Sequence, residues 1–407
     1  MKILTFSTLF PNSKQPNNAV FVKHRMAAVH RFFNAELRVV APVPFFPNLP
    51  FHFVDKWKMF AEIPVKENID GLTVYHPRYL VTPKVGMMLY GYFMFLGAIR
   101  QVARIHKEFP FDLIDAHYIY PDGLAAVLLG EVLRKPVVLS ARGTDINIFP
   151  KFKTIRPLIR RALTKASHVI AVCESLRGSM INLGIPRNRI SAIPNGIDPD
   201  IFRPASQLEA RKKLGLNDDK KILISVGALV ELKGMHILID ALTEINRMGR
   251  LEFNTYIIGK GEQKDNLQKT INLRGLQDKI KLCGEVRNSE LPNWYNAADL
   301  FFLGSSREGW PNVVSESIAC GTPVIATRVN GIPEILRSEE YGLLVNRDAQ
   351  SFAEGIMAGF SKTWDQKKIV DYGQSRPWSV VAGEVYTLFQ QVLEASHLTG
   401  GREPSMR

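Results

Sequence analysis

The chain of 407 residues holds only three cysteines, Cys173, Cys283 and Cys320. They are too few and too scattered for a disulfide framework or a metal-ligand spacing, and each lies in an apolar run that reads as core in a reducing compartment. No secretory leader is legible: Met1 to Ser7 enters a strand-like run directly, with no small-residue cleavage site. A cytoplasmic location is therefore expected. The uncharged stretch from Val85 to Ile99, closed by Lys84 and Arg100, is too short to cross a bilayer as a helix and reads as a buried or interfacial one. No Gly-x-Gly-x-x-Gly follows the first strand, which removes the main argument for a nicotinamide-dependent oxidoreductase. Clustered metal ligands are also missing. Asp198-x-Asp200 mimics a metal-binding pair but reads better as turn and capping residues, so no metal and no cofactor is expected.

Acidic residues are scarce in one half only. Residues 1–194 carry 26 Lys and Arg against 12 Asp and Glu, whereas residues 195–407 carry 26 against 27. The formal charge of +13 thus belongs wholly to the first half. A nucleic-acid partner is the usual first thought for such a surface, but no recognition motif accompanies it and none is expected. An anionic membrane surface explains a single basic half equally well.

What is present is a regular alternation of β-branched runs and helical patterns, the signature of βαβ units and doubly wound α/β sheets. Strands are predicted at 2–7, 36–41, 72–76, 113–117, 137–141, 168–173 and 190–193. Six more follow at 222–226, 254–258, 280–283, 300–303, 324–327 and 343–345. The turn-forming cluster from Pro194 to Pro199 separates a first domain, 1–193, from a second, 194–373. A last helix occupies 374–395, and 396–407 reads as a disordered tail.

In open parallel sheets, ligands collect at the carboxyl ends of strands. Three loops there draw notice in the second half. Gly227 to Gly234 places Lys233 before a helix, where a cation has the wrong sign for the macrodipole unless an anion lies beside it. Gly259-Lys260-Gly261 allows close backbone approach, though alone it usually marks a turn. Ser305 to Glu316 sets Pro311 to begin a helix that Gly321 ends, so amides from Gly309 through Trp310, Asn312 and Val313 can face an anion. Glu308 and Glu316 would then suit hydroxyls on either side of a diphosphate.

With these residues the chain resembles glycosyltransferase family 4, retaining enzymes of GT-B fold, in particular those of bacterial cell-surface polysaccharide synthesis. Glu308 and Glu316 match the family's E-x7-E element, Ala319 to Thr327 the segment after it, Asn330 to Glu334 the next loop, and Pro194 to Asp198 the interdomain motif. The resemblance implies two Rossmann-like domains facing a central cleft, with the acceptor on the first and a nucleotide diphosphate sugar, UDP- or GDP-linked, on the second. It implies Lys233 at the diphosphate, Glu316 at the ribose, and Glu308 with the backbone of residues 309–312 at the donor sugar. It raises His117, at a strand's carboxyl end, to a catalytic position beside that sugar. One departure is Ala228, where many relatives have an arginine; Arg142 or Arg307 could share its task with Lys233. In the first half Arg142 and Asp145 occupy a loop where relatives often have His-Gly-x-Asp, and an Arg142–Asp145 surface pair is its plainer reading. Asn18, in a loop lacking the family's glycine, and Asn195 complete the acceptor or diphosphate candidates.

The implied reaction is a metal-independent retaining transfer to a saccharide or lipid-linked saccharide, on the cytoplasmic face of the inner membrane. A sugar phosphorylase of the same fold is the alternative, with a nucleic-acid-binding protein a distant third. The apolar runs Pro42–Phe51 and Met87–Leu96, with the basic amphipathic segment Lys151–Lys165, are the features expected to meet that membrane.

Overall fold

The computed structural model describes residues 1–45, 59–82, 86–216, 219–249 and 251–400, with the side chains of 399 and 400 left aside. The chain forms two compact units: Met1–Gly196 with the segment from Trp378 onward, and Ile197–Pro377. These divisions fall three and four residues beyond the sequence boundaries.

Unit 1 is built on an eight-stranded sheet in the order β10-β9-β8-β7-β1-β2-β5-β4. The strands are β1 (Lys2–Phe6), β2 (Glu36–Val40), β4 (Lys66–Ile69), β5 (Leu72–Tyr75), β7 (Leu113–His117), β8 (Val137–Ala141), β9 (His168–Ala171) and β10 (Ile190–Ala192). All pairings are parallel except β4 with β5, a hairpin closed by Asp70 and Gly71, both at positive φ. A small parallel pair, β3 (Val43–Phe45) and β6 (Arg78–Leu80), lies apart from the sheet. β7 and β8 are buried at every position, so they read as continuous apolar runs rather than alternations.

The helix Tyr90–Glu108 buries Met94, Ala98, Val102 and Ile105, spaced by three or four residues as a single helical stripe requires. It rides so closely over β6 that a Cβ at Gly97 would stand 2.3 Å from the Arg78 carbonyl oxygen, so only glycine fits. The helix Trp378–Gly400 buries Trp378, Val381, Val385 and Phe389 in one core with Val22, Met26 and Val29 of the helix Val20–Phe33. Because this helix runs to Gly400, the tail does not begin at Ser396. Residues 401–407 lie outside the described residues.

Unit 2 holds a six-stranded, wholly parallel sheet in the order β13-β12-β11-β14-β15-β16. Its strands are β11 (Lys221–Val226), β12 (Phe253–Ile258), β13 (Ile280–Gly284), β14 (Leu300–Leu303), β15 (Val324–Thr327) and β16 (Gly342–Val345). Helices cover both faces, giving one core around Ile224, Phe301 and Val314 and another around Leu238, Phe302 and Phe352.

Each sheet reverses its winding once. The switch falls between β1 and β7 in unit 1 and between β11 and β14 in unit 2. At a switch the connections leave in opposite directions and open a crevice beyond the strand ends, which is where ligands bind. Ser7 follows β1 and His117 ends β7; Gly227 and Gly304 follow β11 and β14.

Candidate functional site

In unit 2 the loop after β11 turns through a short 3-10 segment, Glu231–Lys233, and then Gly234 at φ +71° starts the helix Met235–Met248. A Cβ at Gly234 would meet the Gly304 carbonyl oxygen at 2.2 Å, so glycine alone lets this loop lie against the one after β14. The contact brings Lys233 to Glu308, with Nζ 2.5 Å from Oε1. The anion demanded beside Lys233 by the helix field is thus supplied by the protein's own carboxylate. Ser305 Oγ donates to the same Glu308 oxygen at 2.6 Å, and the Glu308 amide donates to Asn330 Oδ1 at 3.1 Å. Arg347 Nε donates to the Gly304 carbonyl at 3.0 Å and holds the base of the loop. Ser305, Asn330 and Arg347 were not marked as functional by the sequence. Their signal was weak, since Ser305 acts within the loop of Glu308 itself, while Asn330 and Arg347 reach that loop from the ones after β15 and β16.

The helix Asn312–Ala319 begins after Pro311 with no side-chain cap and no acid in its first turn. Its leading amides therefore keep their field for an anion. Val313 is half-buried in this turn. Trp310 packs on the neighbouring core, and its Nε1 is buried without an acceptor. Arg307 is exposed.

Glu316 does not join the Lys233–Glu308 group. It is buried, and Tyr295 Oη donates to its Oε2 at 2.8 Å. Burial pushes its carboxyl up to about 7, against the lowering effect of the tyrosine bond. An acid raised from 4.5 to about 7 favours the folded state below pH 4.5, and that advantage is lost as pH rises to 7. Glu316→Gln keeps an acceptor for Tyr295 and removes the buried charge. Denaturant unfolding should show the variant more stable than wild type at pH 8, by on the order of 2 kcal/mol, and little different near pH 4.5. Equal stability at pH 8 would refute the buried charge.

Gly259 and Gly261 answer to their own backbone. A Cβ would stand 1.9 Å from the Gly227 carbonyl oxygen at Gly259 and 2.3 Å from that of Leu229 at Gly261. These glycines let the loop after β12 cross the loop after β11, where the Leu229 amide donates to the Lys260 carbonyl at 2.9 Å. Gly227 leaves room for the stem of Lys233, which would lie 3.8 Å from a Cβ there.

In unit 1, His117 is fully buried at the end of β7, and both ring nitrogens are engaged. Nε2 lies 2.9 Å from Asp115 Oδ2, and Arg142 donates to Nδ1. The ring that the resemblance places beside the donor sugar is thus held between a carboxylate and a guanidinium. Burial, reinforced by Arg142 and Arg25, pushes its pKa down to about 4 despite Asp115, so the imidazole is neutral. Asp115 was legible, since residues two apart in a strand share a face.

Arg142 is not paired with the Asp145 side chain through its guanidinium. That group donates to His117 and, at 3.1 Å, to Asn195 Oδ1, and lies over the Phe21 ring. Asp145 instead accepts the amides of Ile119, Arg142 and Gly143 and shapes the loop. Burial and nearby Arg25 lower the Arg142 pKa to about 9, which leaves it charged at neutral pH. Asn18 donates through Nδ2 to the Phe10 carbonyl at 3.1 Å and braces its own loop. The structure thus joins His117, Arg142 and Asn195 into one group, with Asp145 beneath it.

Asp198 Oδ1 accepts the Asp200 amide at 3.0 Å, which is the turn role. Among the described residues no three His, Cys, Asp or Glu side chains are grouped to hold a metal ion. Cys173 and Cys320 are buried thiols, whereas Cys283 is only half-buried, at the end of an edge strand.

Comparison with known proteins gives these groups a setting. Residues 206–376 match the family model described as glycosyl transferases group 1, and residues 60–201 match that of glycosyltransferase family 4. TuaC of Bacillus subtilis, named as a teichuronic acid biosynthesis glycosyltransferase, is 29% identical over 360 residues, 88% of each chain. Sucrose-phosphate synthase from Thermosynechococcus elongatus superposes with a TM-score of 0.76 at 18% identity, over 97% of this chain and 99% of that one. HepE of Anabaena, in complex with UDP, gives 0.71 at 20% identity, over 96% and 100%. The chain belongs to the group 1 and family 4 glycosyltransferases and has their two-domain GT-B fold.

Proposed function

We propose that the protein is a retaining glycosyltransferase that moves a sugar from a nucleoside diphosphate onto a lipid-linked saccharide in surface-polysaccharide synthesis. The observation that carries this reading is the Lys233–Glu308 pair beside the uncapped start of the helix Asn312–Ala319, at the winding switch of unit 2. A cation and a row of amides suit a diphosphate, and a carboxylate held by Ser305, on a backbone tied to Asn330, suits a sugar hydroxyl. Glu316 is assigned to the ribose. The solved relative with bound UDP supports a uridine donor, and the name of TuaC supports a wall-polysaccharide product.

On this reading Lys233 and the helix amides stabilise the charge that grows on the departing diphosphate. The diphosphate leaves from one face of the sugar, the acceptor oxygen attacks on that same face, and the departing phosphate oxygen takes the acceptor proton. Glu308 holds the sugar by hydrogen bonding and forms no covalent bond to it. Positioning and electrostatics are the protein's whole contribution, and Ala228 adds no charge to it. Transfer assays with UDP-, GDP- and ADP-sugars, read by NMR for the anomeric configuration of the product, test the proposal. A product with the donor's configuration is expected; an inverted one would overturn the retaining assignment. Turnover should also persist in EDTA, and loss that Mg²⁺ or Mn²⁺ restores would overturn metal independence.

The membrane assignment rests on unit 1. Phe45 and Leu80 face each other across β3 and β6 and are exposed, as are Met88, Leu89 and Leu96. The helix Arg156–Lys165 turns Ile159, Ala162 and Leu163 inward and leaves Arg156, Arg160, Arg161 and Lys165 in solvent. Most of the Pro42–Phe51 run, with Lys56, Trp57 and Lys58, lies outside the described residues. No helix is long and apolar enough to cross a membrane among the described residues. Basic side chains near an anionic surface contribute about 1 kcal/mol each at best, and salt screens them over roughly 10 Å. The protein should therefore sediment with anionic vesicles, less with neutral ones, and be released as salt rises. Retention in the supernatant with anionic vesicles at low salt would refute docking and leave the transferase reading intact.

A further inference from the structure

A cavity of about 460 Å³ opens in unit 1 at the amino end of its sheet. Asp112 precedes β7, Pro136 precedes β8 and Ser167 precedes β9, so the cavity lies at the opposite end of these strands from His117 and Arg142. Three helices, Leu124–Leu133, Arg156–Lys165 and Trp378–Gly400, contribute the rest of its wall.

The charges around it are unevenly satisfied. Both acids are engaged: Asp112 Oδ2 accepts the Lys2 amide at 2.7 Å, and Glu131 pairs with Arg161 at 3.7 Å. The side chains of the three cations Arg134, Lys135 and Lys165 have neither a hydrogen bond nor an acidic partner among the described residues. Helix carboxyl ends favour nearby cations, which accounts for Arg134 just after Leu124–Leu133 and for Lys165 at the end of Arg156–Lys165. They do not account for three unpaired cations lining one space of ligand size, since ligand pockets measure roughly 300–1,000 Å³. Val127 and Leu393 add apolar wall, so the space suits a carbon body as well as an anion.

We propose that this cavity is a second ligand site, for a small soluble phosphate monoester. Its phosphate would take Arg134, Lys135 and Lys165, and its carbon body would lie against Val127 and Leu393. The site is independent of the donor reading, because no residue in its wall belongs to the candidate transfer site.

The test is calorimetric titration of the full chain with ribose 5-phosphate and with inorganic phosphate, in excess UDP to block any donor site. Saturable binding of ribose 5-phosphate, tighter than that of inorganic phosphate, is expected. Lys135→Ala with Lys165→Ala should weaken it at least about tenfold, and an unchanged far-UV spectrum and melting temperature would show that the variant folds. Absence of saturable binding by the ester, or equal binding by the folded double variant, would overturn the proposal. A double variant that loses anionic-vesicle binding, in a protein that gives no heat with the ester, would assign the cations to a lipid headgroup and overturn the soluble ligand.

Discussion

Lys233→Ala is expected to lower kcat for sugar transfer about 100- to 1,000-fold, the usual cost of removing one preorganised group from developing negative charge. Lys233 is held for this task twice over. Gly234 allows its loop to lie against Gly304, and Glu308 fixes its ammonium at 2.5 Å. Without the lysine, the Glu308 carboxylate keeps the Ser305 hydroxyl but loses its counter-charge, so the sugar-holding group is disturbed as well. Lys233→Arg should rescue only part of the loss, because a planar fork cannot replace a compact ammonium in so close a contact. Glu308→Ala should likewise depress kcat, whereas Glu316→Ala should raise KM for the donor, since one is assigned to the reacting sugar and the other to the ribose. Steady-state rates at saturating and limiting donor separate the cases. Unchanged kcat in a folded Lys233→Ala protein would remove Lys233 from the mechanism.

Asp115→Ala is expected to destabilise unit 1 by about 3–5 kcal/mol, the range found when one partner of a buried ionic group is deleted. Asp115 is fully buried, and burial opposes its charge; His117, Arg25 and Arg142 around it nevertheless hold its carboxyl below the usual range. Deleting it leaves two arginines facing each other without that anion. The same cluster sets a pH dependence. His117 falls from 6.5 unfolded to about 4 folded, so its contribution is complete above pH 6.5 and is lost as pH falls towards 4. Asp122, raised by burial from 3.8 to about 7, works in the opposite direction over much of that range. The clean readout is therefore the difference between wild type and His117→Gln, which should shrink from pH 6.5 to pH 4 and be flat above. Denaturant unfolding followed by a unit 1 probe measures both effects. A shift well under 1 kcal/mol for Asp115→Ala would show that the cluster does not hold unit 1 together.

The parts of the fold visible in the sequence were those that repeat a period. All thirteen predicted strands are present, most within one residue of their ends, because buried parallel strands are continuous apolar runs bounded by turn residues. The three that were missed, β3, β4 and β6, are short and peripheral; β4 in particular alternates exposed and half-buried positions, with little apolar signal. Lys233 and Glu308 were legible as motif members, and their loops meet as strand-end reasoning requires. Their bracing by Ser305, Asn330 and Arg347 was not, because it depends on which loops a parallel sheet brings side by side. His117 shows the limit most clearly. A histidine at a strand's carboxyl end is equally compatible with an open ring and with one closed between Asp115 and Arg142, and only three-dimensional packing distinguishes them.

The central claim is that unit 2 carries a nucleoside diphosphate on Lys233, Glu316 and the start of the helix Asn312–Ala319. Calorimetric titration of UDP, GDP and ADP into wild type, Lys233→Ala and Glu316→Ala tests it directly. One diphosphate, with UDP the first expectation, should bind with one-to-one stoichiometry, and each substitution should weaken it by at least about tenfold, or 1.4 kcal/mol. Failure of all three nucleotides to bind, or equal affinity in the folded variants, would contradict it.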